Sequence, residues 1–157
     1  YSGKSYLTKK GYIVVSGFYY ISDEDGTKNY ENDDIILGYL DNDGKLLWKK
    51  TIGGNGDDYI YGFFETENEN IIAYGYLSST NIDGLENKGK SDAFIVKYDK
   101  QGNLLWQHTY GTENTDYFSN LVKVEDENFI VSGSNIIVKY DKELRYEEDR
   151  KRINIFY

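Results

Sequence analysis

Three glycines, Gly17, Gly75 and Gly133, stand at intervals of 58 residues (75 − 17 and 133 − 75). The only two tryptophans, Trp48 and Trp106, keep the same interval, as do Asp34 and Asp92, Gly44 and Gly102, Thr51 and Thr109, and Gly53 and Gly111. A fixed long period means one supersecondary unit copied in tandem, each copy burying an apolar face against its neighbour. A surface spread over near-equal units suits a binding face or a scaffold better than a unique catalytic centre.

Residues 34–59 align without gaps on 92–117. Ten of the 26 positions are identical: Asp34, Asp41, Gly44, Leu46, Leu47, Trp48, Thr51, Gly53, Asp58 and Tyr59, each against its partner 58 further on. Chance gives roughly one or two at ordinary residue frequencies. The third copy starts in phase at Tyr117 and runs through Gly133. Ile137-Val-Lys-Tyr-Asp-Lys142 then matches Ile95-Val-Lys-Tyr-Asp-Lys100 at a spacing of 42, so 58 − 42 = 16 residues are missing. The deletion falls on the loop that 78–91 forms in the second copy, which places that loop outside the hydrogen-bonded framework. The units are 1–58, 59–116 and a shortened 117–157, together one repeat domain.

The second copy reads as four strands: 59–66, 71–77, 93–98 and 103–110. Short β-rich runs bounded by Gly, Asn and Asp are the all-β signal, and tyrosine, 17 of the residues, favours strands. Helical periodicity is absent from 1–142. Asp41–Gly44 and Asp99–Gly102 are hairpin turns in which glycine supplies a positive φ. Four antiparallel strands per unit in tandem is the pattern of a β-propeller blade, and three blades rarely close a ring of four to eight. Further blades in a longer parent chain, a second copy as a homodimer, and an open stack with exposed edges are the three expectations, the last at the risk of aggregation. After 142 the pattern breaks. Glu147/Lys151 and Glu148/Arg152 have helical i, i+4 spacing, and 153–157 alternates like a strand. A short helix before a last strand and a degenerate fourth strand both fit.

The net charge of −9 repels a phosphate backbone, so nucleic acid is not an expected partner. Cysteine is absent, which removes disulfides, thiolate nucleophiles and zinc–thiolate sites. No apolar run is long enough to span a membrane. The chain begins at Tyr1, in register with a repeat boundary, as expected of a piece of a longer precursor.

Asp92–Trp106 followed by Thr109-Tyr-Gly111, and its copy Asp34–Gly54, resemble the β-propeller repeats of bacterial secreted and cell-surface proteins (the SBBP-like type). That resemblance implies a propeller, an exported location and a binding or structural role. Leu40–Trp48 with Gly53-Gly54 is similar to the tryptophan-docking repeat of quinoprotein-type propellers, where the Trp packs between blades. The enzymes of that group place a disulfide of adjacent cysteines over their cofactor, and this chain has none.

Trp48, Trp106, Gly17, Gly75 and Gly133 are therefore expected to pack the blades. Glycine inside a strand marks a bulge or a close backbone approach, and crowding at a propeller channel is one natural cause. Tyr74 and Tyr76 lie on one strand face, where they either stack a ligand or fill the interface between blades. Gly53–Tyr61 matches the calcium nonapeptide G-G-x-G-x-D-x-U-x, but that motif works in tandem and its partner 111–116 keeps only the first Gly and the Asp. A turn is expected there, with Asp58 and Asp116 bonding backbone amides. Asp23, Asp25 and Asp34 are the remaining candidates for a calcium site, without the bidentate Glu an EF-hand needs. His108, the sole histidine, is replaced by Lys50 in the first copy and reads as an exposed strand residue.

The expected function is a non-enzymatic, exported propeller segment that binds protein or glycan or serves as a scaffold, at the cell surface, outside the cell or in the periplasm. No cofactor is expected. The rival is an enzyme with its site at the propeller mouth, a quinone-dependent dehydrogenase or a hydrolase. An enzyme should break the repeat symmetry with unique polar residues converging on the channel, whereas a scaffold should show only small and apolar residues there.

Overall fold

A computed structural model describes residues 4–9, 13–19, 34–124, 128–134, 136–140 and 154–156. Twelve strands appear: β1 (Lys4–Leu7), β2 (Ile13–Tyr19), β3 (Asp34–Leu40), β4 (Leu46–Ile52), β5 (Asp58–Glu65), β6 (Ile71–Leu77), β7 (Asp92–Tyr98), β8 (Leu104–Tyr110), β9 (Phe118–Lys123), β10 (Phe129–Gly133), β11 (Ile137–Tyr140) and β12 (Asn154–Phe156). They form three four-stranded sheets in chain order, β1–β4, β5–β8 and β9–β12, with every ladder antiparallel. No helix occurs among the described residues. Among the described residues the three sheets stand in an open series and do not close on one another. Of the two alternatives for the tail, the strand is present as β12, paired to β11; the helical spacing at 147–152 lies outside the described residues.

The four strands expected in the second copy fall within a residue of β5–β8. The hairpins form as their sequence asks. Asp41 Oδ1 accepts from the amides of Asp43 and Lys45, and Asp99 Oδ1 from those of Gln101 and Asn103. Gly44 and Gly102 sit at φ 81° and 83°, where a Cβ is disfavoured. The acidic turns thus spend a carboxylate oxygen on their own backbone.

The repeated glycine of the second strand has a cause within its own sheet. Along β5 the register skips a residue between Ile60 and Gly62, opposite Gly75 and Tyr74. Along β9 it skips between Phe118 and Asn120, opposite Gly133 and Ser132. Tyr61 and Ser119, 58 apart, are the extra residues of two equivalent β-bulges. A bulge pushes the first strand's backbone into the second: a Cβ on Gly75 would lie 1.8 Å from the carbonyl oxygen of Tyr59, and one on Gly133 1.5 Å from that of Tyr117. Gly17 pairs with Ile36 on the other side of its strand.

Two cores hold the sheets together. In β6, Ile71, Ala73 and Leu77 face the first sheet, while Ile72 and Tyr74 face the third. A middle strand buried on both faces reads as a continuous apolar run. Ile35, Leu37 and Tyr39 of β3 meet Phe94 and Val96 of β7 in the first core. Ile95 and Trp106 meet Phe118, Val131, Val138 and Tyr140 in the second. At about 1.5–3 kcal/mol for each large side chain buried, these cores dominate the stability. Sheet-to-sheet approach runs through the first strand of the following sheet: β5 meets β1 and β3, and β9 meets β5, β6 and β7.

Candidate functional site

The tryptophans sit at the junctions between sheets. Trp48, on β4, stacks on Tyr39 of its own sheet (5.2 Å between centroids) and meets Tyr98 of the next sheet at 6.0 Å. Its indole N–H donates to the carbonyl of Lys100 at 3.0 Å, which pins it to the next sheet's hairpin. Trp106, on β8, lies parallel to Tyr140 of the third sheet at 5.2 Å. Tyr98 and Tyr140 are the same position of the repeat, 42 apart across the deletion. Each junction is one joint: the tryptophan of one unit on the tyrosine of the next. Position 50/108 follows the same rule. Lys50 Nζ stands 6.0 Å over Tyr98, and the His108 ring 6.2 Å from Tyr140. His108 is half-buried on this aromatic stack, so its expected exposure is not what the fold gives it.

Neither outer sheet carries the missing half of a further joint. In the first unit the receiving position is Leu40. In the third, the register partner of Lys139 is Asn154, where the partner of Lys97 in the second is Trp106.

A second repeated pair lies where the chain leaves each sheet. Asp34 and Asp92 are buried at the starts of β3 and β7. A Cβ on Gly53 would fall 2.0 Å from Asp34 Oδ1, and one on Gly111 2.4 Å from Asp92 Oδ1, so the repeated glycine makes room for the repeated aspartate. Burial pushes the Asp92 carboxyl up; the amides of Lys88 and Gly89 pull it down and nearby Asp116 pushes it up further. Neither Asp92 oxygen accepts a hydrogen bond of good geometry. Asp58 Oδ1 accepts from the amides of Ser78 and Ser79, and Oδ2 from the Ser79 hydroxyl at 2.6 Å. Asp116, its repeat partner, accepts from the Thr112 amide and hydroxyl and the Ser134 hydroxyl.

The calcium-like stretch 53–61 is part of this framework. The Gly56 amide donates to Ser79 Oγ, and Asn55 exchanges hydrogen bonds with Thr80 and Asn81. The loop 78–91 is thereby tied down, and its Ile82 and Leu85 pack on the first core. It belongs to the framework in the second unit, contrary to the sequence expectation; the third unit's hydrogen bonds differ because Ser134 reaches Asp116 directly. Of the calcium candidates, Asp34 faces Gly53, and Asp23 and Asp25 lie outside the described residues. Among the described residues no three His, Cys, Asp or Glu side chains gather as metal ligands.

At the same end of the sheets four tyrosines meet. Tyr59 and Tyr76 are cross-strand partners, stacked at 5.9 Å. Tyr61, on the bulge, lies 5.0 Å from Tyr59, 6.1 Å from Tyr76 and 5.6 Å from Tyr117 at the head of β9. Lys4 Nζ donates to the Tyr61 carbonyl. All four rings are half-buried, and none belongs to either core. Burial, then Tyr117 and Tyr59, raises the Tyr61 phenol; burial, then Tyr61, Asp57, Tyr59 and Asp58, raises that of Tyr76.

Of the two tyrosines singled out from sequence, Tyr76 joins this cluster. Tyr74 packs on the second core, its hydroxyl over Gly62, and burial raises its phenol. The sequence reading missed Tyr59, Tyr61 and Tyr117. Their signal is the Tyr-x-Tyr at a repeat boundary, which strand alternation puts on one face, with Tyr117 one period on from Tyr59.

No helix among the described residues is long and apolar enough to cross a membrane. No protein-family model matches the chain. Over 112 residues, 71% of its length, the chain is 29% identical to a protein of Aquifex aeolicus (strain VF5) described as uncharacterized, and the match covers 26% of that protein. The chain therefore spans about a quarter of this relative.

Proposed function

We propose that the chain is a segment of a β-propeller-type binding scaffold, exported and displayed at the cell surface, without catalysis of its own. The observation that carries this reading is the pair of Trp–Tyr joints, Trp48 on Tyr98 and Trp106 on Tyr140. Each sets one four-stranded sheet against the next, whose first strand also approaches it, as blades pack around an axis. Tandem units joined this way hold their connecting loops at fixed spacing, which is what a recognition surface needs. The exported location rests on the resemblance of Asp92–Gly111 and Asp34–Gly54 to secreted propeller repeats. Surface display is tested by labelling intact cells that make the parent protein with a membrane-impermeant amine reagent. The protein should label before lysis while a cytoplasmic marker does not. Labelling only after lysis overturns the surface location.

A further inference from the structure

The tyrosine cluster is unlike the joints in one respect: half of it breaks the repeat. Tyr59 and Tyr117 share a position, but Tyr61 and Tyr76 correspond to Gly3 and Phe18 in the first unit and to Ser119 and Ser134 in the third. Four rings therefore meet only between the second and third sheets. All four rings lie outside both cores and are half-buried. We propose that Tyr59, Tyr61, Tyr76 and Tyr117 form a binding shelf for a neutral oligosaccharide chain. The inference rests on the binding-scaffold reading and names the ligand class of one surface.

The chemistry points to that class. A tyrosine offers an apolar ring, a hydroxyl that donates and accepts, and few torsions to freeze on binding. Sugars present the complement, C–H faces that lie on aromatic rings and hydroxyls that pair with hydroxyls. A phenol of ordinary acidity is uncharged near neutral pH. Asp57 and Asp58 stand close enough to Tyr76 to act on its phenol, and the chain as a whole carries −9, so an anionic ligand is repelled. Tyr59 and Tyr61 sit on β5 and Tyr76 on its register partner β6, so strands and not loops carry three of the four rings.

Isothermal titration of the 157-residue chain with cellohexaose, xylohexaose, mannohexaose, laminarihexaose and chitohexaose tests the inference, with tetramethylammonium and phosphate as charged probes. At least one neutral hexasaccharide should bind. Tyr61→Phe combined with Tyr76→Phe, which keeps the rings and deletes two hydroxyls, should weaken it by about tenfold. Tyr61→Ala should weaken it further. Tyr110→Phe, which removes a hydroxyl bonded to Tyr140 away from the shelf, should leave affinity unchanged. Binding of a sugar that ignores the Tyr61 and Tyr76 variants sinks the shelf while leaving the binding-scaffold reading intact. Binding of tetramethylammonium or phosphate with no sugar, or of nothing at all, overturns the glycan assignment.

Discussion

The indole of Trp106 and the ring of Tyr140 lie within 6° of parallel, 5.2 Å apart, one residue from the second sheet and one from the third. Phe129 extends the stack, 4.7 Å from Tyr140 and 6.4 Å from Trp106. Trp48 makes the equivalent joint at its rim, half-buried and tilted by 46° to Tyr98.

The two joints should therefore differ in strength. Trp106→Ala removes a side chain only 4% exposed and should cost about 3–5 kcal/mol of stability. Trp48→Ala removes a partly solvated one and should cost about 1–3 kcal/mol, including the lost hydrogen bond to Lys100. Urea denaturation of both variants checks the order; equal costs would contradict the asymmetry.

The bulge explanation for the repeated glycine makes its own demand. Gly75→Ala and Gly133→Ala each drive a methyl into a backbone carbonyl that cannot swing aside, so each should cost about 3 kcal/mol or more. Gly44→Ala meets no atom within 4 Å and is disfavoured only by its positive φ, about 1 kcal/mol. Thermal midpoints of the three variants should rank accordingly.

Ser79 links the loop 78–91 to the buried Asp58 carboxylate. Ser79→Ala deletes the hydroxyl that donates to Asp58 Oδ2 and accepts from Gly56, and should cost about 1–3 kcal/mol. Hydrogen exchange should quicken at the amides of Ser78, Ser79 and Gly56 before it does elsewhere. Unchanged protection there would show that the loop is held by its apolar contacts alone.

Stability should also depend on pH through the buried aspartates. Burial raises Asp58 and Asp92 above their ordinary value of 3.8. The folded protein then holds those protons more tightly than the unfolded chain. Their contribution is fully present below 3.8 and is lost as pH rises through the raised folded values. Asp99 and Glu67 run the other way. Slight burial opposes, but Asn103 and the turn amides lower Asp99, and Lys123 lowers Glu67, so their contributions are lost on acidification. Asp92→Asn isolates the first effect. The variant should gain on the parent at neutral pH and surrender that gain on acidification into the carboxylate range. A stability difference that does not vary with pH would refute it.

Much of this architecture is legible in the chain. The period of 58 marks the units, the turn residues mark the hairpins, and the second copy alone shows four strands. The third unit is legible across its 16-residue deletion, because 137–142 repeats 95–100 and so aligns Tyr140 with Tyr98; that each of these tyrosines receives the preceding unit's tryptophan is not. The site is the hardest to see. Strand alternation puts Tyr59 and Tyr61 on one face, but no spacing rule announces a bulge in one strand when its glycine lies in another, nor that Tyr76 and Tyr117 come to the same place. The second-strand glycine was legible as close approach; that the intruding backbone belongs to the same sheet was not.

Only the middle unit carries both halves of the joint, receiving Trp48 on Tyr98 and presenting Trp106 to Tyr140. The first has Leu40 in place of the receiving tyrosine, and the third has Asn154 in register where the second has Trp106. Growth of such a series by duplication is therefore directional. A second copy of 59–116 spliced beside the first would find a tyrosine ahead and a tryptophan behind, adding a joint for each unit gained. A duplicated third unit would offer its neighbour no indole to grip.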